Sequence, residues 1–162
     1  MCRRTDMSPA KCYKDRNLAE PGPAEAQMTV KVLIVDDSDI MRKAIRVFLK
    51  NQPEVRLVGE ASDLPEAIRK TAELHPDVIV LDLHLTEKNG AIELTALLGA
   101  ARVLAITFGT DEVSRVLAEH IGAETLIDKM DLTAELVPAI LQLALQKRSP
   151  SSAFPVGGSP AG

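Results

Sequence analysis

The sequence lacks the features that mark membrane proteins and nucleic-acid-binding proteins. No apolar run reaches the roughly 20 residues that a helix needs to cross a bilayer, and charged residues stand at the N-terminus, where a secretory signal would carry its apolar stretch. The formal net charge is -4 at pH 7, whereas a nucleic-acid site gathers basic side chains on one face. These absences predict a cytoplasmic protein that makes no direct contact with membrane or nucleic acid.

Cysteine is also scarce, and both residues, Cys2 and Cys12, precede the first strong apolar run. Their spacing matches no metal-binding motif, so we interpret them as inert thiols. Residues 1–27 are polar, without sustained periodicity, and are predicted to be disordered. Met28 stands directly before the first apolar run, which raises the hypothesis that translation begins there. Residues 148–162 are rich in Ser, Pro and Gly and are predicted to form a disordered tail.

Residues 28–147 are predicted to form one α/β domain, because short β-branched runs alternate with segments of helical spacing. Five such units in a row imply a parallel sheet with helices on both faces, since each parallel crossover requires an intervening element. The predicted strands are Val30–Val35, Arg56–Gly59, Asp77–Leu83, Arg102–Thr107 and Glu124–Ile127. The predicted helices are Asp39–Asn51, one capped by Asp63 and ending near His75, one starting near Gly90, Asp111–Ile121, and Leu132–Lys147 with an irregularity at Pro138.

Polar residues suited to chemistry stand where the predicted strands end. Asp36 and Asp37 follow the first strand, Asp82 ends the third, Thr107 ends the fourth and Lys129 follows the fifth. The carboxyl ends of parallel strands line the ligand crevice of an open sheet, so these side chains are expected to meet. Three clustered carboxylates repel one another unless a cation intervenes, and Mg2+ prefers oxygen ligands.

This set of residues suits phosphoryl transfer to a carboxylate. Asp36 and Asp37 would hold Mg2+ and leave Asp82 free to attack, since a carboxylate can form an acyl phosphate. Charge then spreads over the three phosphoryl oxygens, and positioned cations and donors stabilise it. Mg2+, the Lys129 ammonium and the Thr107 hydroxyl would give each oxygen a partner.

The motifs resemble those of response-regulator receiver domains, also called CheY-like. The resemblance is carried by IVDDSD at 34–39, VIVLDL at 78–83, LAIT at 104–107 and GAETLIDK at 122–129. It implies a doubly wound flavodoxin-like fold with strand order 2-1-3-4-5 over residues 28–147. It also implies a stand-alone signalling domain that is not a turnover enzyme, because Asp82 accepts a phosphoryl group and loses it by self-catalysed reactions.

The resemblance further implies partners and one more metal contact. A histidine kinase or a histidine phosphotransfer protein would donate the phosphoryl group after binding near Ile40, Met41 and Ile45, and an unknown downstream protein would receive the signal. The backbone carbonyl of His84 would meet Mg2+. The charged residues of the first helix are interpreted as a solvated face: Arg42, Lys43 and Arg46.

One departure from the family pattern keeps alternatives open. Leu126 replaces the aromatic residue that usually changes rotamer on phosphorylation, and Phe108 is a candidate substitute for it. The protein could therefore deliver a signal, act as a phosphate sink for a shared kinase, or serve as a receiver-like binding module that is never phosphorylated. A haloacid-dehalogenase-like phosphatase is a further alternative, but His84 stands where its second catalytic aspartate is needed.

Overall fold

The computed structural model describes residues 29–89 and 99–146, in which strands and helices alternate. The strands are β1 (Val30–Val35), β2 (Val55–Ala61), β3 (Val78–Asp82), β4 (Arg102–Thr107) and β5 (Thr125–Asp128). The helices are α1 (Asp39–Lys50), α2 (Leu64–Leu74), α3 (Leu83–Asn89), α4 (Glu112–His120) and α5 (Leu132–Leu145). The predictions for residues 1–27, for Gly90 and for residues 148–162 lie outside the described residues.

The described strands form one parallel sheet in the order β2-β1-β3-β4-β5, which confirms the predicted fold. The register aligns the carboxyl ends of neighbouring strands: Val35 lies beside Leu81, and Thr107 lies beside Asp128. Because these ends are level, the residues that follow them meet at one edge of the sheet. The fold thereby creates the crevice that the sequence predicts.

Helices cover both faces of the sheet, and each face carries its own hydrophobic cluster. On one face, Ile45 of α1 and Leu136 of α5 pack against β1, β3 and β4. On the other face, Leu64 of α2 and Ala118 of α4 pack against alternate residues of the same strands. All five residues of β3 are buried, as expected of a central parallel strand that is covered on both sides.

The predicted end of the third strand was wrong. The sequence favoured a strand through Leu83 and a later helix, whereas α3 begins at Leu83, directly after Asp82. Leu83 and Leu85 have the alternate spacing of strand residues, yet both belong to α3. Their side chains are buried against the hydrophobic cluster on the α4 side of the sheet. The Thr86 hydroxyl donates to the Leu83 carbonyl at 2.6 Å and stabilises this first turn. The sequence predicted an irregularity at Pro138, and α5 is helical on both sides of this residue.

Helix α2 begins with the predicted Asp63 cap, completed by a reciprocal contact. The Asp63 carboxylate accepts the Glu66 amide at 2.8 Å, and the Glu66 carboxylate accepts the Ser62 amide at 3.0 Å. The Lys70 ammonium lies 2.7 Å from Glu66. The hydrogen bond from Lys70 and that from Ser62 lower the pKa of Glu66 from 4.5 to about 2. This carboxylate therefore stabilises the helix in its charged form.

Among the described residues, no helix combines the length and the apolar character that crossing a bilayer requires.

Candidate functional site

Three carboxylates converge at the carboxyl edge of the sheet, as the sequence predicts. Asp36 and Asp37 follow β1, Asp82 ends β3, and one carboxylate oxygen from each lies within 4.8 Å of the others. Asp36 and Asp82 are buried, with 0% and 2% of their surface exposed, whereas Asp37 is exposed. The cluster thus consists of two buried carboxylates, those of Asp36 and Asp82, and the solvent-exposed carboxylate of Asp37.

The Lys129 ammonium bridges the two buried carboxylates. Its Nζ lies 2.9 Å from Asp36 Oδ2 and 2.9 Å from Asp82 Oδ2, and only 3% of its side chain is exposed. One positive charge therefore lies between the two buried carboxylates, and Asp37 adds a third carboxylate to the cluster. Carboxylates crowded in this way favour the binding of a cation.

Backbone amides hold the second oxygen of each buried carboxylate. The Ser38 amide donates to Asp36 Oδ1 at 2.8 Å, and the His84 amide donates to Asp82 Oδ1 at 3.2 Å. Each carboxylate is therefore fixed by an amide on one oxygen and by Lys129 on the other. This fixes the orientation of Asp82 before any partner binds.

The cluster fits a hard divalent cation. Its potential ligands are carboxylate oxygens, which Mg2+ prefers, and Mg2+ is commonly held by one or two carboxylates together with waters and phosphate oxygens. Asp37 is exposed, so an ion can reach the cluster from solvent. The residues that could hold it are Asp36, Asp37 and Asp82.

His84 lies in the first turn of α3, immediately beyond Asp82. Its amide is the group that contacts Asp82, while its imidazole is half exposed and lies 3.7 Å from the Glu87 carboxylate. Carbonyls of a helical first turn are directed along the helix axis, towards its C-terminus. The metal contact of the His84 carbonyl stays a prediction.

Thr107 and Lys129 are brought together by the pairing of β4 with β5. Thr107 is buried at the end of β4, and its carbonyl accepts the Lys129 amide at 2.7 Å. Its neighbour Phe108 is 58% exposed and places the centroid of its ring 5.0 Å from Lys129 Nζ. The five predicted side chains therefore share one edge of the sheet.

Arg42 corrects the interpretation of the first helix as a solvated face. Only 15% of its side chain is exposed, and its Nη1 donates to the Asp36 carbonyl at 2.6 Å while Nη2 pairs with Asp39 at 3.1 Å. Lys43, with 67% of its side chain exposed, does fit that interpretation. The available signal for Arg42 was its position one helical turn after Asp39.

Asp128 also supports the site, and the sequence reasoning missed it. Its carboxylate accepts the Gly109 amide at 3.2 Å and the Met130 amide at 2.9 Å. It thereby ties the loop after Thr107 to the loop that carries Lys129. The available signal was an acidic residue directly before Lys129 at a strand end.

Leu126, which stands in place of the usual aromatic residue, is partly buried and packs against the core on the α4 side of the sheet.

Comparisons with known proteins agree with this geometry. Residues 32–141 match the response regulator receiver domain. The chain is 33% identical over 115 residues to the transcriptional regulatory protein LiaR of Bacillus subtilis, covering 68% of this chain and 54% of that protein. It is 37% identical over 98 residues to a protein-glutamate methylesterase/protein-glutamine glutaminase of Methanosarcina acetivorans, covering 58% of this chain and 28% of that protein. The chain thus spans about half or less of these two relatives.

A solved structure gives the same result in three dimensions. The response regulator domain of Thermotoga maritima CheB superposes with a TM-score of 0.63 and 31% sequence identity, covering 72% of this chain and 96% of that domain. This superposition agrees with the five-stranded parallel sheet described above. The chain belongs to the response regulator receiver domain family.

Proposed function

We propose that this receiver accepts a phosphoryl group on Asp82 and acts through contacts with other proteins. The observation that carries the proposal is the environment of Asp82: a buried carboxylate with one oxygen held by a backbone amide and the other by Lys129. A carboxylate placed in this way is a suitable nucleophile for forming an acyl phosphate. The neighbouring Asp36 and Asp37 would serve as ligands of the cation.

The reaction forms a bond between a carboxylate oxygen of Asp82 and phosphorus while the bond from phosphorus to the donor breaks. Lys129 pairs with Asp82 before the reaction and is close enough to partner an oxygen of the incoming group. Thr107, beside Lys129 at the same edge, would donate its hydroxyl to another oxygen. Attack by water on phosphorus later breaks the acyl phosphate and releases inorganic phosphate.

Mg2+ is the proposed cofactor, held by Asp36, Asp37 and Asp82. The His84 carbonyl would join these ligands only after the first turn of α3 opens, because helical carbonyls are directed away from Asp82. When bound, it offsets the excess of carboxylate charge and stabilises negative charge on the phosphoryl oxygens. The support is the carboxylate cluster, in which one oxygen from each of the three aspartates lies within 4.8 Å of the others.

The proposed donor is a histidine kinase or a histidine phosphotransfer protein that docks beside α1. Ile40 at the start of α1 is 82% exposed, and Met41 and Phe48 are only partly buried on the same helix. Met41 and Phe48 line one cavity together with Lys129, so this apolar surface reaches the site and suits contact with a protein. The consequence of phosphorylation is either a signal to a downstream protein or the draining of a shared kinase, and Leu126 fits the second because a phosphate sink needs no aromatic switch.

The experiment is the intact mass of the protein after incubation with acetyl phosphate, with and without Mg2+. We expect a gain of one phosphoryl group that requires Mg2+ and is lost in Asp82→Asn. Asp131→Asn is the matched control, because Asp131 is exposed and its side chain makes no capping hydrogen bond to α5. This control makes the same chemical change outside the cluster and should label like the wild type.

Three other outcomes would contradict the proposal. No gain of mass under any condition would refute the proposal and favour a receiver-like binding module that is never phosphorylated. Sustained turnover of a small phosphate ester would favour the phosphatase alternative. Labelling of Asp82→Asn to the same extent as the wild type would place the phosphoryl group elsewhere.

A further inference from the structure

Phe108 is a large side chain at the site to which the proposed function gives no role. It is 58% exposed and belongs to neither hydrophobic cluster of the described core. Packing therefore does not explain its position. Its ring faces Lys129, whose Nζ lies 5.0 Å from the centroid of the ring.

This distance is within the range of a cation–π interaction, which extends to about 6 Å from the ring centroid. The ammonium is also paired with Asp36 and Asp82, at 2.9 Å each. Only 3% of the Lys129 side chain is exposed, so its interactions are screened less than those of a surface lysine. The ammonium thus has two carboxylates as partners and an aromatic face as a third.

The backbone fixes Phe108 in this place. Its preceding residue, Thr107, accepts the Lys129 amide at 2.7 Å, and its following residue, Gly109, donates its amide to Asp128 at 3.2 Å. Gly109 has φ of 84°, a conformation that favours glycine. Both neighbours of Phe108 are therefore hydrogen-bonded at the end of β5, one to Asp128 and the other to Lys129, the next residue.

We propose that Phe108 is a positioning residue: its ring keeps the Lys129 ammonium inside the site while the ammonium passes from the Asp82 carboxylate to an oxygen of the incoming phosphoryl group, and thereby speeds phosphorylation of Asp82. The inference rests on the proposed function. To partner an oxygen of the incoming phosphoryl group, the ammonium must loosen its contact with Asp82. The ring can stay in contact with the ammonium throughout that change, because it does not occupy the carboxylate oxygen that bonds to phosphorus.

The test compares Phe108→Leu with Phe108→Tyr. Leucine keeps an apolar side chain with the same branching at Cγ, but it is shorter and has no aromatic face, whereas tyrosine keeps the face. We expect Phe108→Leu to be labelled by acetyl phosphate in the presence of Mg2+ roughly fivefold more slowly than the wild type. Phe108→Tyr should be labelled at a rate close to that of the wild type.

A nuclear magnetic resonance signature separates this role from a structural one. An aromatic ring beside Lys129 shifts the resonances of its ε-methylene protons, so the wild type and Phe108→Tyr should share a displaced signal that returns to the ordinary lysine position in Phe108→Leu. Urea unfolding of all three proteins checks that they are folded under the assay conditions.

The outcomes are distinguishable. Labelling of Phe108→Leu at the wild-type rate would overturn the inference and leave the proposed function intact. Slower labelling with an unchanged Lys129 signal would also overturn it, because the effect would not act through the ammonium. A wild type that takes no label at all would overturn the proposed function, and with it this inference.

Discussion

Replacing Lys129 by methionine should destabilise the protein far more than replacing an exposed lysine. Methionine keeps an unbranched side chain that ends where the lysine Cε lies, but it leaves Asp36 and Asp82 without the ammonium that lies 2.9 Å from each. Breaking a buried ion pair by removing one partner costs roughly 3–5 kcal/mol. Because the exposed Asp37 marks a side of the cluster that water can reach, we take the lower end, about 3 kcal/mol.

The assay is urea unfolding at neutral pH in the presence of a chelator. A denaturant slope of about 2 kcal/mol/M converts the expected loss into a decrease of about 1.5 M in the midpoint. Lys43→Met is the control, since Lys43 is 67% exposed and pairs with Asp39 at 3.6 Å on the surface. Its free energy of unfolding should change by less than about 1 kcal/mol.

Two further measurements test the electrostatic reasoning itself. Adding Asp82→Asn to Lys129→Met should recover part of the lost stability, because one buried carboxylate then remains without the ammonium rather than two. Added Mg2+ should stabilise Lys129→Met more than the wild type, because the variant carries the larger excess of negative charge. A Lys129→Met protein as stable as Lys43→Met would refute the view that the ammonium holds the cluster together.

Three more predictions concern supporting contacts. Glu66→Gln keeps the capping hydrogen bond but removes a carboxylate whose pKa is lowered to about 2 in the folded state. At neutral pH the substitution should lower the free energy of unfolding by about 1 kcal/mol, after allowance for exposure of the side chain. The difference between the two proteins in urea unfolding should shrink as the pH falls from about 4.5 towards 2. Arg42→Gln, which loses the 2.6 Å bond to the Asp36 carbonyl, should cost about 1.5 kcal/mol by the same assay, against less than about 0.5 for the more exposed Arg46→Gln. Asp128→Ala frees two backbone amides and should slow labelling by acetyl phosphate, whereas an unchanged rate would show that its two loops keep their places without it.

Much of the fold could be predicted from the sequence, because each central strand is a short β-branched run between helical segments. The near-continuous apolar run of β3 indicated a strand covered on both faces, and all of its residues are buried. The start of α3 could not be predicted in the same way. Leu83 and Leu85 satisfy the alternation of a strand, and only tertiary packing shows that helical backbone buries them.

The positions of the principal site residues could also be predicted, since strand order and strand ends fix where Asp36, Asp82 and Lys129 must lie. Their supporting contacts could not. The bonds of Arg42 and Asp128 run to backbone groups of the loops, the Asp36 carbonyl and the amides that flank the site. Those groups are present at every residue, so no sequence pattern marks which of them a side chain will reach.

The contacts around Thr107 bear on how this receiver could respond to phosphorylation. A response through the loop after β4 requires that loop to move towards the phosphoryl group. Here the Thr107 carbonyl accepts the Lys129 amide, and the Gly109 amide donates to Asp128, so the loop is tied to β5 on both sides of Phe108. Leu126 on the same strand offers no aromatic side chain whose rotation could accompany that movement. Movement of the loop relative to the end of β5 would therefore have to break these two hydrogen bonds, whereas draining phosphoryl groups from a kinase would leave both in place.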